Sequence, residues 1–260
     1  MAVRRGTERA SAQAARVASV VTGNAGAMVL RPDRQRPSSA RWADLRLRAL
    51  SAIILAPLAL ACIWLGGWPF AALMLLAAIG MTVEWTQMVR AGRGAAGFLA
   101  GGTLYILLAG AALYWLRADP AVGRANVVFL LCLVWASDIG AYVAGRSIGG
   151  PRLAPRISPG KTISGACGGL AAAVLVGLIA ATCSNTDLVI AALVAAILGM
   201  VAQAGDLAES YAKRRFGVKD SGRLIPGHGG LLDRVDALLA VALAAAVLAL
   251  IDGRGEVLWR

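Results

Sequence analysis

Two pairs of acidic residues flank one short polar segment of the sequence. Asp206 and Glu209 precede the segment and Asp233 and Asp236 follow it, each pair spaced three residues apart. Residues three apart share a face of a helix, so each pair presents its carboxylates in one direction. If the segment folds back, the four carboxylates converge and offer the oxygen ligands that Mg²⁺ prefers. The second pair equally fits as N-terminal caps of the helix it opens, and the two roles are compatible.

The segment between the pairs, residues 210–232, has the composition of an anion site. Its glycines allow the backbone to approach a ligand closely and to offer bare N–H groups. Its basic residues are Lys213, Arg214, Arg215, Lys219 and Arg223. His228 is the only histidine of the chain. It either donates to a phosphate or holds the turn, and the sequence does not decide between these roles.

A second loop, residues 156–165, reads RISPGKTISG and directly precedes a predicted helix. Lys161 and the N–H groups at the start of that helix are suited to hold phosphate. The loop lacks the spacing of a Walker A motif. A basic cytoplasmic loop in contact with anionic lipid is an equally good interpretation of it.

These residues lie between long apolar segments. The chain of 260 residues is 58% hydrophobic and 15% charged, with a mean hydropathy of +0.69. Soluble domains are about 45–50% apolar and about 25% charged. A segment of about 20 apolar residues is long enough to cross a bilayer as a helix. The sequence therefore predicts an all-α, polytopic helical membrane protein with about seven transmembrane helices and two functional cytoplasmic loops.

The cytoplasmic side follows from the distribution of basic residues. The predicted spans are 48–66, 68–89, 97–116, 125–145, 164–183, 187–207 and 234–251, and the two long loops are 146–163 and 208–233. Of the 26 basic residues, 22 fall on the N-terminal side of this arrangement and 4 on the other side. Because cytoplasmic loops carry an excess of Lys and Arg, both long loops are expected to face the cytoplasm.

Two organisational features complete the pattern. Residues 1–44 form a basic, polar tail that we expect to be disordered, and residues 45–255 form the transmembrane domain. The net charge of +12 does not indicate nucleic-acid binding, because the basic residues lie between apolar segments and not on one soluble face.

Acidic residues in or beside membrane spans are costly, and they are candidates for function by default. A lone one equally fits a hydrogen bond between helices, but several near one membrane edge favour a shared polar site. Six lie near the same predicted edge, namely Glu84, Asp138, Asp206, Glu209, Asp233 and Asp236. Together with basic, glycine-rich loops they indicate phosphoryl or nucleotidyl transfer on a lipid, which depends on positioning and charge neutralisation.

The motifs resemble those of one enzyme family. Residues 210–236 read SYAKRRFGVKDSGRLIPGHGGLLDRVD and closely resemble the signature of phosphatidate cytidylyltransferases, also called CDP-diacylglycerol synthases. GDLAES at 205–210 resembles the family's GDLxES segment, WASDIGAY at 135–142 its DxGAY segment, and LAPRISPGKT at 153–162 its SPxKT loop. RALSAIILAP at 48–57 and the pair Glu84 and Trp85 also resemble the family, so the resemblance runs through residues 45–250.

The resemblance implies an activity and its partners. CTP and phosphatidate would give CDP-diacylglycerol and pyrophosphate, with Mg²⁺ as cofactor and, in some members, a second, monovalent cation. Residues 45–255 would be the cytidylyltransferase domain of an integral protein of the bacterial inner (plasma) membrane, with its active site facing the cytoplasm. The partners would be CTP, phosphatidate and membrane lipids, with no nucleic acid and with a homodimer as a possible assembly.

The resemblance also implies roles for single residues. Asp206, Lys213 and Asp233 are the implied catalytic residues. The implied metal ligands are Asp206 and Asp233, followed by Asp236 and Glu209. The implied substrate contacts are Ser158, Lys161, Lys219, Asp220, His228, Arg234 and Asp138. In the expected mechanism a phosphate oxygen of the lipid attacks the α-phosphorus of CTP in line, while Lys213 and the loop arginines neutralise charge on the departing pyrophosphate.

The alternative function is a proton-coupled membrane transporter, because acids within the membrane and glycine-broken spans also occur in that class. A transporter predicts acids near the bilayer midplane, whereas the enzyme predicts them at the cytoplasmic ends of the spans. Another lipid transferase is a third candidate, but the DGxxAR-type motif of CDP-alcohol phosphotransferases is absent from this sequence.

Overall fold

The computed structural model describes residues 38–252 and 257–260, which form seven α-helices and a two-stranded antiparallel sheet. The helices are α1 (Ser38–Leu65), α2 (Gly67–Ala91), α3 (Ala96–Ala118), α4 (Gly123–Ser147), α5 (Ile163–Ser184), α6 (Leu188–Arg215) and α7 (Leu232–Asp252). The strands are β1 (Arg152–Ala154) and β2 (Ser158–Thr162). The chain divides into two units, Met1–Ala43 and Asp44–Arg260, and every side chain discussed below lies in the second.

Six helices, α2 to α7, are long and apolar enough to cross a membrane. The first predicted span corresponds to α1, whose apolar part, Ala49–Leu65, is shorter. Only 22–33% of the residues in each of the six spans are buried within the protein. Large apolar side chains such as Leu76, Leu193 and Ile251 are exposed, as expected of a surface that faces lipid. The structure thus confirms the predicted all-α, polytopic membrane fold.

The predicted loops differ from the observed ones. Because α6 continues to Arg215, the predicted loop 208–233 shrinks to residues 216–231, here named the α6–α7 loop. The loop 146–163 contains a β-hairpin that the sequence did not predict, since a strand of Ser, Pro, Gly, Lys and Thr lacks apolar alternation. Of the predicted tail 1–44, residues 38–44 begin α1 and the rest lies outside the described residues.

Small residues bring the helices into close contact. A side chain at Gly140 on α4 would meet the backbone of Gly168 on α5, and one at Gly168 would meet Gly140 and Ala144 in return. The same kind of contact continues along the bundle, with Gly177 of α5 against α6. Helices in membranes associate through close packing of this kind, because lipid removes the hydrophobic driving force between them. These close contacts between α4, α5 and α6, here named the seam, fix the helices that carry the polar residues.

Contacts at the helix ends define two sides of the bundle. The side that carries the hairpin and the α6–α7 loop is named the loop side. On the opposite side, Arg117 Nε donates to the carbonyl oxygen of Ile63 over 2.6 Å. There the indole of Trp259 also donates to Ser184 Oγ over 3.2 Å, so residues 257–260 are held against the bundle.

Replacing Gly168 with leucine is expected to lower the Tm of the detergent-solubilised protein by roughly 2–12 °C. Overpacking costs about 1–3 kcal/mol, and each kcal/mol shifts Tm by about 2–4 °C in a protein of this size. Differential scanning fluorimetry measures the change. The matched control is Gly110→Leu on α3, where an added Cβ meets no atom within 4 Å. An equal Tm for both variants would contradict the role of the seam.

Candidate active site

The last turns of α6 and the first turns of α7 meet on the loop side. Asp206, Glu209 and Lys213 recur at spacings of three and four residues along α6, so they share one face of that helix. Gly205 permits close approach of α7, because a Cβ there would lie 2.6 Å from the Cβ of Ala240. Both predicted acid pairs are thereby placed at one junction of two helices.

Lys213 joins the two helices at this junction. Its Nζ lies 2.5 Å from Glu209 Oε2 and 2.8 Å from Asp233 Oδ1. The exposed fractions of the three side chains are 14% for Lys213, 8% for Glu209 and 10% for Asp233. Removing one partner of a buried ion pair strands the other charge and costs about 3–5 kcal/mol. Lys213 therefore holds the carboxylates in place and neutralises part of their charge.

Asp233 is held by backbone N–H groups as well as by Lys213. The N–H of Ser221 lies 3.1 Å from Oδ1 and 3.0 Å from Oδ2, and the N–H of Gly230 lies 3.2 Å from Oδ2. Both donors belong to the α6–α7 loop and not to the helix that Asp233 opens. The described contacts of Asp233 therefore organise the loop around a carboxylate, which differs from ordinary capping of its own helix.

Glu84 of α2 holds the same loop from beneath. Its Oε1 accepts the N–H of Leu224 over 3.2 Å, and its Oε2 accepts the N–H of Leu232 over 3.0 Å. Only 3% of the residue is exposed, and Gly222 packs directly on its carboxylate. The sequence marked Glu84 as a costly acid but gave no sign of this role, because its partners are backbone groups about 140 residues away.

Five carboxylates form a series of electrostatic neighbours, here named the carboxylate row. Its members, each of which interacts electrostatically with the next, are Asp138, Asp206, Asp236, Glu209 and Asp233. Two lysines pair with the row: Lys161 forms an ion pair with Asp206, and Lys213 pairs with Glu209 and Asp233. Formal negative charge therefore exceeds positive charge along the row, and the buried Glu209 Oε1 has no hydrogen-bond partner within the described part of the chain.

This excess fits a bound cation. Carboxylate oxygens are the ligands that Mg²⁺ prefers, and an orphaned buried carboxylate oxygen is stabilised by one. The ligand geometry is not preformed: within residues 38–252 and 257–260, no group of three or more His, Cys, Asp or Glu side chains is arranged to hold a metal ion. Asp206 and Asp233 are each paired with a lysine instead.

One end of the row borders a polar cavity of about 430 Å³. Its lining includes Asp138, Lys161, Asp206, Arg146 and Arg152. Three cationic side chains thus accompany two carboxylates, a balance suited to an anion bound together with a cation. Sequence reasoning named Asp138, Lys161 and Asp206 but missed both arginines, of which Arg146 lies in the last turn of α4 and Arg152 begins the hairpin.

The hairpin positions Lys161 at the end of β2. Arg152 pairs with Thr162 across the hairpin, and Thr162 caps α5 by accepting the N–H of Gly165 over 3.0 Å. Arg214 at the end of α6 donates to the carbonyl oxygen of Ile157 over 3.3 Å. The two predicted functional loops are therefore joined, although they lie about 50 residues apart in sequence.

The other end of the row borders an apolar cavity of about 630 Å³. Its walls come from α2, α3, α6 and α7, and the charged residues in its lining are Glu209 and Asp236. The row thus connects a polar cavity with an apolar one.

The remaining predicted substrate contacts lie away from both cavities. His228 Nδ1 lies 2.9 Å from Ser51 Oγ, and Arg234 Nε donates to the carbonyl oxygen of His228 over 3.0 Å. Both residues therefore brace the loop, which corresponds to the turn-holding alternative for His228. Lys219 and Asp220 are exposed in the loop, and Ser158 pairs with β1; none of the three lines either cavity.

A helical membrane bundle with a carboxylate row between a polar and an apolar cavity is suited to a transferase that joins a polar substrate to a lipid. The model of the cytidylyltransferase family matches residues 96–251. This range includes the carboxylate row, the whole lining of the polar cavity, and the lining of the apolar cavity apart from Trp85 and Ala95. The chain therefore belongs to the cytidylyltransferase family, among the phosphatidate cytidylyltransferases. It is a nucleotidyltransferase.

Curated relatives cover most of the chain. The phosphatidate cytidylyltransferase of Brucella suis biovar 1 (strain 1330) is 38% identical over 251 residues, which cover 76% of this chain and 91% of the relative. That of Brucella abortus biovar 1 (strain 9-941) is 36% identical, with coverages of 83% and 97%. That of Rickettsia bellii (strain RML369-C) is 36% identical, with coverages of 81% and 91%.

The variant Glu84→Gln tests the support of the α6–α7 loop. Glutamine keeps the size but can accept only one of the two N–H groups, so amide exchange in residues 216–231 is expected to become about tenfold faster or more. Hydrogen–deuterium exchange with mass spectrometry measures this. The control is Asp119→Asn, on the opposite side of the bundle, where the carboxylate of Asp119 also accepts two backbone N–H groups. Loop exchange that rises equally in both variants, or in neither, would refute the assignment.

Proposed function

We propose that this chain transfers the cytidylyl group of CTP to phosphatidate, giving CDP-diacylglycerol and pyrophosphate. The relatives that bear the name phosphatidate cytidylyltransferase support the choice of substrates. The observation that carries the proposal is the carboxylate row, because it borders a polar cavity on one side and an apolar cavity on the other. A polar nucleotide and a lipid can reach a common reaction centre only through such an arrangement.

The polar cavity is the proposed site of the CTP phosphates. Lys161, Arg146 and Arg152 line it and supply charge-assisted hydrogen bonds to phosphate oxygens. The sequence assigned the neutralisation of pyrophosphate to Lys213 and the loop arginines. Lys213 is held by both Glu209 and Asp233 and does not line the polar cavity, so the cationic lining of that cavity is better placed to neutralise the leaving group.

The reaction is a displacement at phosphorus. A phosphate oxygen of phosphatidate forms a bond to the α-phosphorus of CTP, and the bond from that phosphorus to the oxygen bridging the α- and β-phosphates breaks. The electron pair leaves with pyrophosphate. The nucleophile is already anionic near neutral pH, so the site needs alignment and charge neutralisation more than a strong base. Lys161 and the two arginines supply the neutralisation, and Lys213 keeps the carboxylates aligned.

The proposed cofactor is Mg²⁺, with a second, monovalent cation as a further possibility from the family resemblance. Asp206, Asp236, Glu209 and Asp233 are the residues that would hold the divalent ion, because their carboxylates lie together at the junction of α6 and α7. When bound, the ion supplies charge neutralisation between two phosphate groups that would otherwise repel each other.

The active site is proposed to face the cytoplasm of a bacterial cell, from the inner (plasma) membrane. The loop side carries the hairpin and the α6–α7 loop, and these belong to the side that holds 22 of the 26 basic residues. The position of the acids also argues against a transporter. Asp206 and Glu209 lie in the last turns of α6, and Asp233 and Asp236 lie in the first turns of α7, at helix ends.

A direct assay tests the function. The purified full-length protein in mixed micelles is incubated with CTP labelled at the α-phosphate, phosphatidate and Mg²⁺. Label is expected in the lipid phase as CDP-diacylglycerol, with pyrophosphate released in equal amount, and EDTA is expected to stop the reaction. Absence of labelled lipid with phosphatidate, or transfer that continues in EDTA, would exclude the proposed reaction or its cofactor respectively.

Asp206→Asn is expected to lower kcat at least about 100-fold, because the variant removes a carboxylate from the reaction centre while it keeps the side-chain shape. The Tm should stay within a few degrees of wild type. The control Asp187→Asn lies at the other end of α6, where Asp187 accepts the N–H groups of Val189 and Ile190 and asparagine caps equally well. Near-normal turnover by Asp206→Asn would remove Asp206 from the site.

Lys161→Ala is expected to raise the KM for CTP roughly tenfold or more and to leave the KM for phosphatidate within about twofold, because a charge-assisted contact to phosphate is lost. Arg156→Ala is the matched control, since Arg156 is exposed on the same hairpin and lines neither cavity. Steady-state kinetics with each substrate varied in turn separates the two effects. A rise confined to the KM for phosphatidate would reverse the assignment of the cavities.

A further inference from the structure

The apolar cavity extends along α3. Gly97, Gly101, Tyr105 and Ile106 contribute its α3 wall, and the ten residues from Gly97 to Ile106 span about 14 Å of helix. Trp85 of α2 and residues of α6 and α7 form the other walls. A volume of about 630 Å³ lies within the range of about 300–1,000 Å³ that is usual for small-molecule sites.

Two glycines of α3 leave space that no neighbour fills. A Cβ added at Gly97 or Gly101 meets no atom within 4 Å, whereas one at Gly102 would collide with the ring of Trp85. Helix packing therefore explains Gly102 but not Gly97 or Gly101. Glycine in a helix interior costs about 0.5–1 kcal/mol relative to alanine, so the unpacked Gly101 on the cavity wall suggests room kept for a ligand.

The cavity is open to the lipid on one side and charged on the other. Gly97 and Gly101 are exposed, so this part of the wall reaches the outer surface of the bundle. Across from them, Glu209 and Asp236 belong to the carboxylate row, and among the residues that the structure describes the buried Glu209 Oε1 has no hydrogen-bond partner. A ligand that matches both ends has an apolar body and a charged head that reaches the row.

We propose that the apolar cavity binds an acyl chain of the lipid substrate, and that the open wall at Gly97 and Gly101 determines which chain lengths are accepted. The proposal rests on the proposed function and adds the lipid subsite to it. The diacylglycerol part lies across the α3 glycines, and the phosphate reaches the carboxylate row beside the nucleotide.

The test narrows the apolar cavity at Gly101 without changing any residue of the carboxylate row. Gly101→Leu places four carbons in the cavity, and leucine is a better helix former than glycine. The kcat/KM ratio of dioleoyl- to dioctanoyl-phosphatidate is expected to fall about tenfold, which corresponds to the loss of contacts for about two methylene groups. The KM for CTP should remain within about twofold of wild type.

Gly110→Leu is the matched control, because Gly110 lies on the same helix, meets no atom within 4 Å of an added Cβ, and is not part of the cavity lining. Its ratio of the two lipids should equal that of wild type. The proposal fails if Gly101→Leu lowers turnover of both lipids equally, or if its ratio changes no more than that of Gly110→Leu. Failure of wild type on both lipids would instead refute the proposed function.

A binding measurement addresses the cavity without turnover. Trp85 lines the cavity, and brominated acyl chains quench tryptophan fluorescence at contact distance. Phosphatidate with brominated chains should quench wild type more than phosphatidylcholine with the same chains, and Gly101→Leu should abolish that excess. Equal quenching by the two lipids in wild type, or an excess that survives in Gly101→Leu, would overturn the assignment.

Discussion

The structure of the site depends on one buried ammonium group. Lys213 Nζ lies within 2.8 Å of carboxylates on two helices, so it both joins α6 to α7 and makes their close approach electrostatically tolerable. Without it, Glu209 and Asp233 would repel each other in a region where water screens little. The geometry of the row where α6 meets α7 therefore depends on a single charge placed one turn beyond Glu209.

The second constraint is the supply of backbone N–H groups around this centre. The α6–α7 loop contains no regular secondary structure over most of its length. Asp233 nevertheless accepts the N–H groups of Ser221 and Gly230, and Glu84 accepts those of Leu224 and Leu232. A loop that is fixed by carboxylates keeps its glycine-rich backbone close to the row. The acids of this protein therefore serve two purposes, since some shape the loop while others face the cavities.

Sequence patterns predicted the helices well and the cavities poorly. Apolar segments of about 20 residues located six spans within a few residues, because in a membrane the length and polarity of a helix are dictated by the bilayer. The pairing of Asp206, Glu209, Asp233 and Asp236 also followed from spacing. The end of α6 did not, because Lys213 to Arg215 are too polar for a span, yet they continue the helix to the junction where Lys213 pairs with Glu209 and Asp233.

Contacts between distant backbone groups lay beyond the reach of the sequence. Nothing in the spacing of Glu84 indicates that its carboxylate holds Leu224 and Leu232, and the hairpin that brings Arg152 to the polar cavity has no strand-like pattern. His228 and Arg234 carry residue types suited to phosphate, but the structure places them against Ser51 and the loop backbone. Residue type alone therefore named candidates, but it did not separate residues that bind substrate from residues that hold the loop in place.

The continuity of the carboxylate row has a thermodynamic consequence for how the two substrates bind. A phosphate that enters one cavity alters the electrostatic potential felt in the other, because neighbouring members of the row interact directly. Linkage then requires reciprocity: whatever factor the nucleotide imposes on the affinity for lipid, the lipid imposes on the affinity for nucleotide. Occupancy of the enzyme by either substrate thus responds to the supply of both, with no separate regulatory site.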